Sequence, residues 1–205
     1  MKSNAEQLSG LMEFLNSQTH VTPEEIPNID LYMDQVTTFM EEHLKDSKRY
    51  EEDKVLTKTM INNYAKNNLL PPPVKKKYSR EHMLLLVFIY YFKNMLSFHD
   101  IETLFAPITE GHFMDASGLS LQDIYEEVFS MEYEQMKRLK EDLLRKFHAS
   151  EESFTDQKED KDYLQLFTFI CALGFDVFLK KQAMEMLIDQ IREDYPVDHS
   201  KKKKS

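Results

Sequence analysis

Lys58, Asn62 and Lys66 stand four residues apart, with Thr59 and Asn63 beside them, in a stretch that carries no carboxylate. At helical spacing the first three form one polar ridge and the other two form its neighbour. The major groove of duplex DNA admits an α-helix, and an Asn amide there pairs bidentately with adenine. Lys75, Lys76 and Lys77 follow closely, after Pro71–Pro73. Lysines on a loop beside a groove-bound helix would neutralise phosphates. From Lys54 to Arg80 there are seven basic residues and no acidic one, on a chain of 205 residues with a formal net charge of −10. A positive island on an acidic body is the footprint of a surface that meets a polyanion, although a solvated basic face without a partner has the same composition.

The elements that must position these residues follow from caps and periodicity. Thr57 or Thr59 caps a helix to about Asn67, with Met60, Ile61 and Tyr64 on its apolar face. Asn68 suits a left-handed helix end, and the three prolines stop any continuation. Lys75 to Tyr78 reads as a short extended stretch. Ser79, with His82 in the fourth place, opens a helix from Arg80 to Met95 that is apolar almost all round, so it should be central. Ser97 caps a short helix through Phe105, which Pro107 is expected to end.

Upstream, Ala5 to Gln18 reads as an amphipathic helix on Leu8, Leu11, Met12 and Leu15. Asp30 is the expected cap of a helix over Leu31–Leu44, with Tyr32, Val36, Phe39 and Met40 turned inward, and a charged loop follows over Lys45–Asp53. Downstream, a loose segment from Ile108 through Gly111 and Gly118 leads to Ser120. That residue should cap one long helix, Leu121–His148, with Ile124, Val128, Met131, Met136, Leu139, Leu143 and Phe147 inside. An acidic linker, Ala149–Asp160, precedes a final helix over Lys161–Asp194, stopped by Pro196. The tail from Val197, with Lys201–Lys204, reads as disordered.

Other chemistries have little to stand on. Seven histidines are scattered without paired metal-ligand spacing, and four glycines could hardly build a phosphate-cradling loop. No Gly-x-Ser-x-Gly elbow is present, and Cys171 lies in an apolar run, so no catalytic residue, metal or cofactor is expected. The lone cysteine and the absence of an apolar leader fit a cytoplasmic protein. Leu164–Leu179 has twelve apolar residues of sixteen. A bilayer needs about 20 and Asp176 would be costly in lipid, so no membrane span is expected. Phe167, Ile170, Cys171, Phe175 and Phe178 could line an unknown effector's pocket, but plain core is the simpler reading.

The stretches MINNYAKNNLLPPP, KKKYSREHMLLL and NMLSFHDIETLF resemble the MerR-type winged-helix DNA-binding domain. That family reads approximately T-L-R-Y-Y-x-x-x-G-L-L-P-P, then a wing ending R-x-Y-S, then G-F-S-L-x-x-I. Aligned on Leu69, Leu70 and Pro71, Ile61 takes the Leu place, Tyr64 the second Tyr and Asn68 the Gly. Lys76 and Tyr78 take the Arg and Tyr of the wing end, and Leu96, Ser97 and Ile101 match the next helix start. Asn62 stands in place of the recognition-helix Arg and Asn63 in place of the first Tyr. From IPNIDLYMDQ onward the chain also resembles an uncharacterised bacterial family known only as a domain of unknown function. The resemblance spans roughly residues 26–106.

The expectation is an all-α protein with a short β-hairpin wing: a MerR-like winged helix–turn–helix followed by long C-terminal helices. Residues 1–25 form an N-terminal helix and linker, 26–107 the winged helix, 108–195 a helical dimerisation or effector region, and 196–205 a basic tail. The expected function is a non-enzymatic, DNA-binding transcriptional regulator acting as a homodimer through its C-terminal helices. Its duplex DNA contacts would be Lys58, Thr59, Asn62, Asn63, Tyr64 and Lys66 on the helix, with Lys75, Lys76, Lys77, Tyr78 and Arg80 on the flanking backbone. The rival reading is a protein-interaction module built on a degenerate winged helix.

Overall fold

A computed structural model describes residues 3–18, 20–113 and 118–196, apart from the Tyr133 side chain. The basic tail Lys201–Lys204 lies outside the described residues. The protein is mostly helical, with one small antiparallel sheet. Its helices are α1 (Asn4–Ser17), α2 (Met33–Leu44), α3 (Lys58–Lys66), α4 (Arg80–Phe92), α5 (Phe98–Gly111), α6 (Leu121–Ser130), α7 (Glu132–Glu151) and α8 (Lys161–Asp194). Strands β1 (Leu31–Tyr32) and β2 (Lys77–Tyr78) and two short 3-10 turns, Pro23–Glu25 and Lys45–Ser47, complete the described elements. The described residues divide into two compact units, one within residues 20–129 with 183–196 and one of residues 3–18 with 130–182.

The larger unit is built around α4. Met83 to Ile89 are all buried, which is what a helix apolar on every side requires. Around it pack Val36, Phe39 and Met40 of α2, Ile61 of α3, Ile101 and Phe105 of α5, and Leu121 and Tyr125 of α6. The last turns of α8 join the same core through Ile188 and Met184. Arg192 ties them down by donating to Asp100 at 2.9 Å, beside the Thr103 hydroxyl at 3.4 Å. Tyr125 lies fully inside, its ring against Phe88 and Phe129 and its hydroxyl donating to the Val21 carbonyl.

His82 is the polar member of this core. The Ser79 amide donates to its Nδ1 at 3.0 Å, and its Nε2 donates to the Pro71 carbonyl at 3.1 Å. The ring sits edge-on to Tyr78 and Phe113. The expected opening of α4 by Ser79 and His82 is therefore present, and the same imidazole fastens the proline turn that follows α3.

In the smaller unit, α1 lies along α7. Leu8, Leu11, Met12 and Leu15 cover Leu143, Phe147 and Phe169. Buried Gln165 donates to the carbonyls of Glu151 and Ser153, at 2.6 and 3.0 Å, and so clamps the turn between α7 and α8. The Asn4 amide donates to Gln165 Oε1 at 3.2 Å.

Several expectations are corrected. Asp30 does not cap α2, because Leu31 and Tyr32 pair with Tyr78 and Lys77 as a strand; the cap is Tyr32, whose amide donates to Gln35 at 2.9 Å. Strand alternation then buries Leu31 and turns Tyr32 outward, 54% exposed. The extended stretch at Lys75 shrinks to Lys77–Tyr78, since Lys75 and Lys76 take left-handed turn conformations. Pro107 lies inside α5 and does not end it, because the packing of Phe105 and Ile108 on either side outweighs one lost backbone bond. The single helix expected over Leu121–His148 breaks at Met131, and α7 runs on to Glu151. The break re-phases the buried stripe to Leu121, Tyr125 and Phe129, then Leu143 and Phe147, which leaves Val128, Met131 and Leu139 exposed. Met60 is also exposed.

Burial pushes the His82 pKa below its ordinary 6.5, partly offset by its bonds to the carbonyls of Pro71 and Pro72. The unfolded chain therefore binds this proton more tightly than the native state. The stability due to neutral His82 is complete above pH 6.5 and is lost as pH falls below it toward the native-state value. Denaturant midpoints taken from neutral pH downward should thus decline more steeply for the wild type than for His82→Gln. Parallel declines would show that another group carries the transition.

Candidate nucleic-acid interface

Helix α3 is set by its two ends and one buried edge. The Thr57 hydroxyl accepts from the Met60 amide at 3.2 Å and caps the start. Ile61 and Tyr64 anchor the inner edge, the Tyr64 ring lying 6.3 Å from that of Phe98. At the other end Asn68 takes φ 62°, and the amides of Leu69 and Leu70 both donate to the Tyr64 carbonyl, at 2.9 and 3.2 Å. Leu69 and Leu70 are buried, which fixes where the proline turn leaves the helix. Asn67 is drawn into this closure, its side-chain amide donating to the Asn63 carbonyl at 2.8 Å.

The outward edge of α3 carries Lys58, Thr59, Asn62, Asn63 and Lys66, all exposed. The two ridges read from the spacing are thus presented together on one short helix. Lys58 is ion-paired with Asp34 of α2. That contact takes up part of its charge, and no residue pattern signalled it, because Asp34 lies on a different helix.

After the prolines the chain makes a tight hairpin. Val74 and Lys77 exchange both backbone hydrogen bonds, at 3.1 and 3.0 Å, around Lys75 and Lys76. These two lysines have φ of 51° and 64°. Positive φ at both central residues of a two-residue loop is the signature of a type I′ turn, where Asn and Gly are the unstrained choices. Lys75 and Lys76 are exposed, whereas Lys77 is half-buried with its ammonium 5.1 Å from the centre of the Tyr32 ring. Among the described residues Lys66, Lys75 and Lys76 have no ion-pair partner.

Three residues of the expected interface are placed differently. Tyr64 and Tyr78 belong to the core, and burial raises the pKa of both phenols. Arg80 is half-buried and donates from Nη2 to the Pro23 carbonyl at 2.7 Å, so it braces the segment ahead of β1.

Among the described residues no three His, Cys, Asp or Glu side chains come together as metal ligands. Phe167, Ile170, Phe175 and Phe178 neither enclose a pocket nor fill core, each being more than half exposed on α8. A cleft of about 500 Å³ in the smaller unit is lined instead by Glu132, Met136, Arg138, Asp142 and Lys180, among others.

A left-handed conformation costs a residue with a Cβ roughly 1–2 kcal/mol. Lys75→Asn with Lys76→Gly should therefore raise the unfolding free energy by about 1 kcal/mol or more, read from urea titration. No gain would mean that the lysines sit in this turn without strain.

A family model described as "Domain of unknown function (DUF1836)" matches residues 21–128, just over half of the chain. No curated protein and no solved structure matches.

Proposed function

The chain belongs to the DUF1836 family, and from that footing we propose that it is a DNA-binding regulator of transcription working as a homodimer. The observation that carries this reading is the outward edge of α3, where amides and lysines stand without a carboxylate of their own helix and a lysine-tipped hairpin follows. In this reading α3 enters the major groove as the recognition helix of a MerR-like winged helix. Asn62 and Asn63 face base edges, and Lys58 and Lys66 flank them. Lys75, Lys76 and Lys77 lie along the neighbouring phosphates, where they set position and carry no base information.

The Lys58–Asp34 pair and the acidic remainder of the chain favour a second reading, in which the same surface docks a protein. Salt dependence separates the two. With four to six phosphate contacts, log K for a mixed-sequence duplex should fall with log salt at a slope of about −4 to −5. Failure to bind any duplex at low salt moves the assignment to the protein-docking module.

The dimer is supported by α8. Phe167, Ile170, Phe175, Phe178 and Leu179 are each more than half exposed, a run of large apolar groups that soluble monomers seldom leave in water. By length and composition α8 would also reach across a membrane. Asp176, paired with Lys146 of α7, interrupts the apolar run and makes lipid a costly solvent for it. Pairing with a second copy covers these residues and gives two recognition helices for two half-sites. Light scattering should return twice the 24.4 kDa chain mass, and Phe175→Glu with Phe178→Glu should return the chain mass itself. A wild type that stays monomeric at high micromolar concentration defeats the dimer.

A further inference from the structure

The outer face of the hairpin carries more than charge. Tyr32 of β1 lies opposite Lys77 of β2, and Lys77 in turn lies opposite Val74. Directly paired residues of antiparallel strands share a face, so Val74, Lys77 and Tyr32 form one row across the ribbon. The row points away from the core: Val74 is 65% and Tyr32 54% exposed, while Leu31 and Tyr78, paired on the other face, are buried. The Lys77 ammonium lies over the Tyr32 ring, and the strained Lys75–Lys76 tip adjoins Val74. Asp34, the carboxylate two residues from Tyr32 in sequence, is ion-paired with Lys58.

We propose that Val74 and Tyr32, the two uncharged members of the row that flank Lys77, are an apolar extension of the DNA contact, packing a methyl pair and an aromatic ring against the deoxyribose faces of one strand of duplex DNA beside the phosphates held by the lysines. This rests on the DNA-binding reading of the same surface. The sugar–phosphate backbone offers apolar sugar edges in alternation with anionic groups, and a ribbon that alternates valine, lysine and tyrosine presents the complementary order. Tyr32 also brings a phenolic hydroxyl, a side-chain donor suited to phosphate oxygen. An exposed aromatic–aliphatic pair hemmed by lysines has no core role that would account for it, since neither side chain is buried.

The two kinds of contact respond differently to salt. Counterion release follows the number of neutralised phosphates, so losing an uncharged contact lowers affinity equally at every ionic strength. In fluorescence anisotropy with the full-length protein and a labelled mixed-sequence duplex, Tyr32→Ala and Val74→Ser should each weaken binding by about fivefold to tenfold. That is the worth of some 50 Å² of apolar surface. The slope of log K against log salt should be unchanged in both. Lys75→Ala should instead reduce the slope by about 0.9. Tyr32→Phe should keep most of the affinity, because it keeps the ring, and Val74→Ser tests the same row should Tyr32→Ala fail to fold.

Wild-type binding with the expected slope, together with Tyr32→Ala and Val74→Ser variants of unaltered affinity, overturns this proposal and leaves the DNA reading standing. A slope that changes in Tyr32→Ala, or tighter binding to single strands than to duplex, overturns it as well. A wild type that binds no duplex removes the DNA reading, and this proposal with it.

Discussion

A helix whose residues Met83 to Ile89 are all inside has no face to give to water, so every other element of the larger unit is arranged to enclose α4. Helices α2, α5 and α6 supply walls, and the end of α8 returns from far along the chain to close a remaining side with Ile188. Helix α3, only nine residues long, could not persist alone. It is held by Ile61 and Tyr64 beneath it and by the proline turn after it. That turn is fixed in its turn by His82, a residue of the first turn of α4, which accepts from Ser79 and donates to Pro71. The direction in which Asn62 and Asn63 face is thus set by the packing of a helix that carries none of the candidate contacts.

Much of this was legible in the order of residues, and the failures share a cause. Thr57, Asn68, Ser79 and Pro196 are local stop and start signals whose chemistry acts within a turn, and the boundaries of α3, α4 and α8 follow them closely. Strand β1 was not legible, because two residues have no periodicity and their pairing partner lies far along the chain. Reading Leu31 and Tyr32 as helix placed Tyr32 inside, when the strand puts it outside. The break at Met131 was hidden because the helical spacing of apolar residues continues across it while the buried face changes. Pro107 was overread, since tertiary packing outweighed its propensity.

The candidate interface divides along the same line. The outward placement of Asn62, Asn63, Lys58 and Lys66 came from i, i+4 geometry, which holds wherever a helix forms. The residues carried over from the winged-helix resemblance fared unevenly. Lys76 is at the surface, but the rings of Tyr64 and Tyr78 serve the core. The Asp34–Lys58 pair and the Tyr32–Lys77 stack are relations between elements distant in sequence, and no spacing rule reaches them.

The smaller unit joins chain segments that are made at very different times. Asn4 bonds Gln165, and Asn16 accepts from Lys140, so α1 has no partner until α7 and the start of α8 have left the ribosome. Its leucines stay uncovered while residues 20–129 emerge, and that larger unit itself lacks Ile188 and Arg192 until α8 has been made. Contacts of this sequence separation slow folding and lengthen the time during which apolar surface is open to the wrong neighbours. Both units therefore wait on α8, and their apolar faces stay open to solvent for as long as that helix has yet to be made.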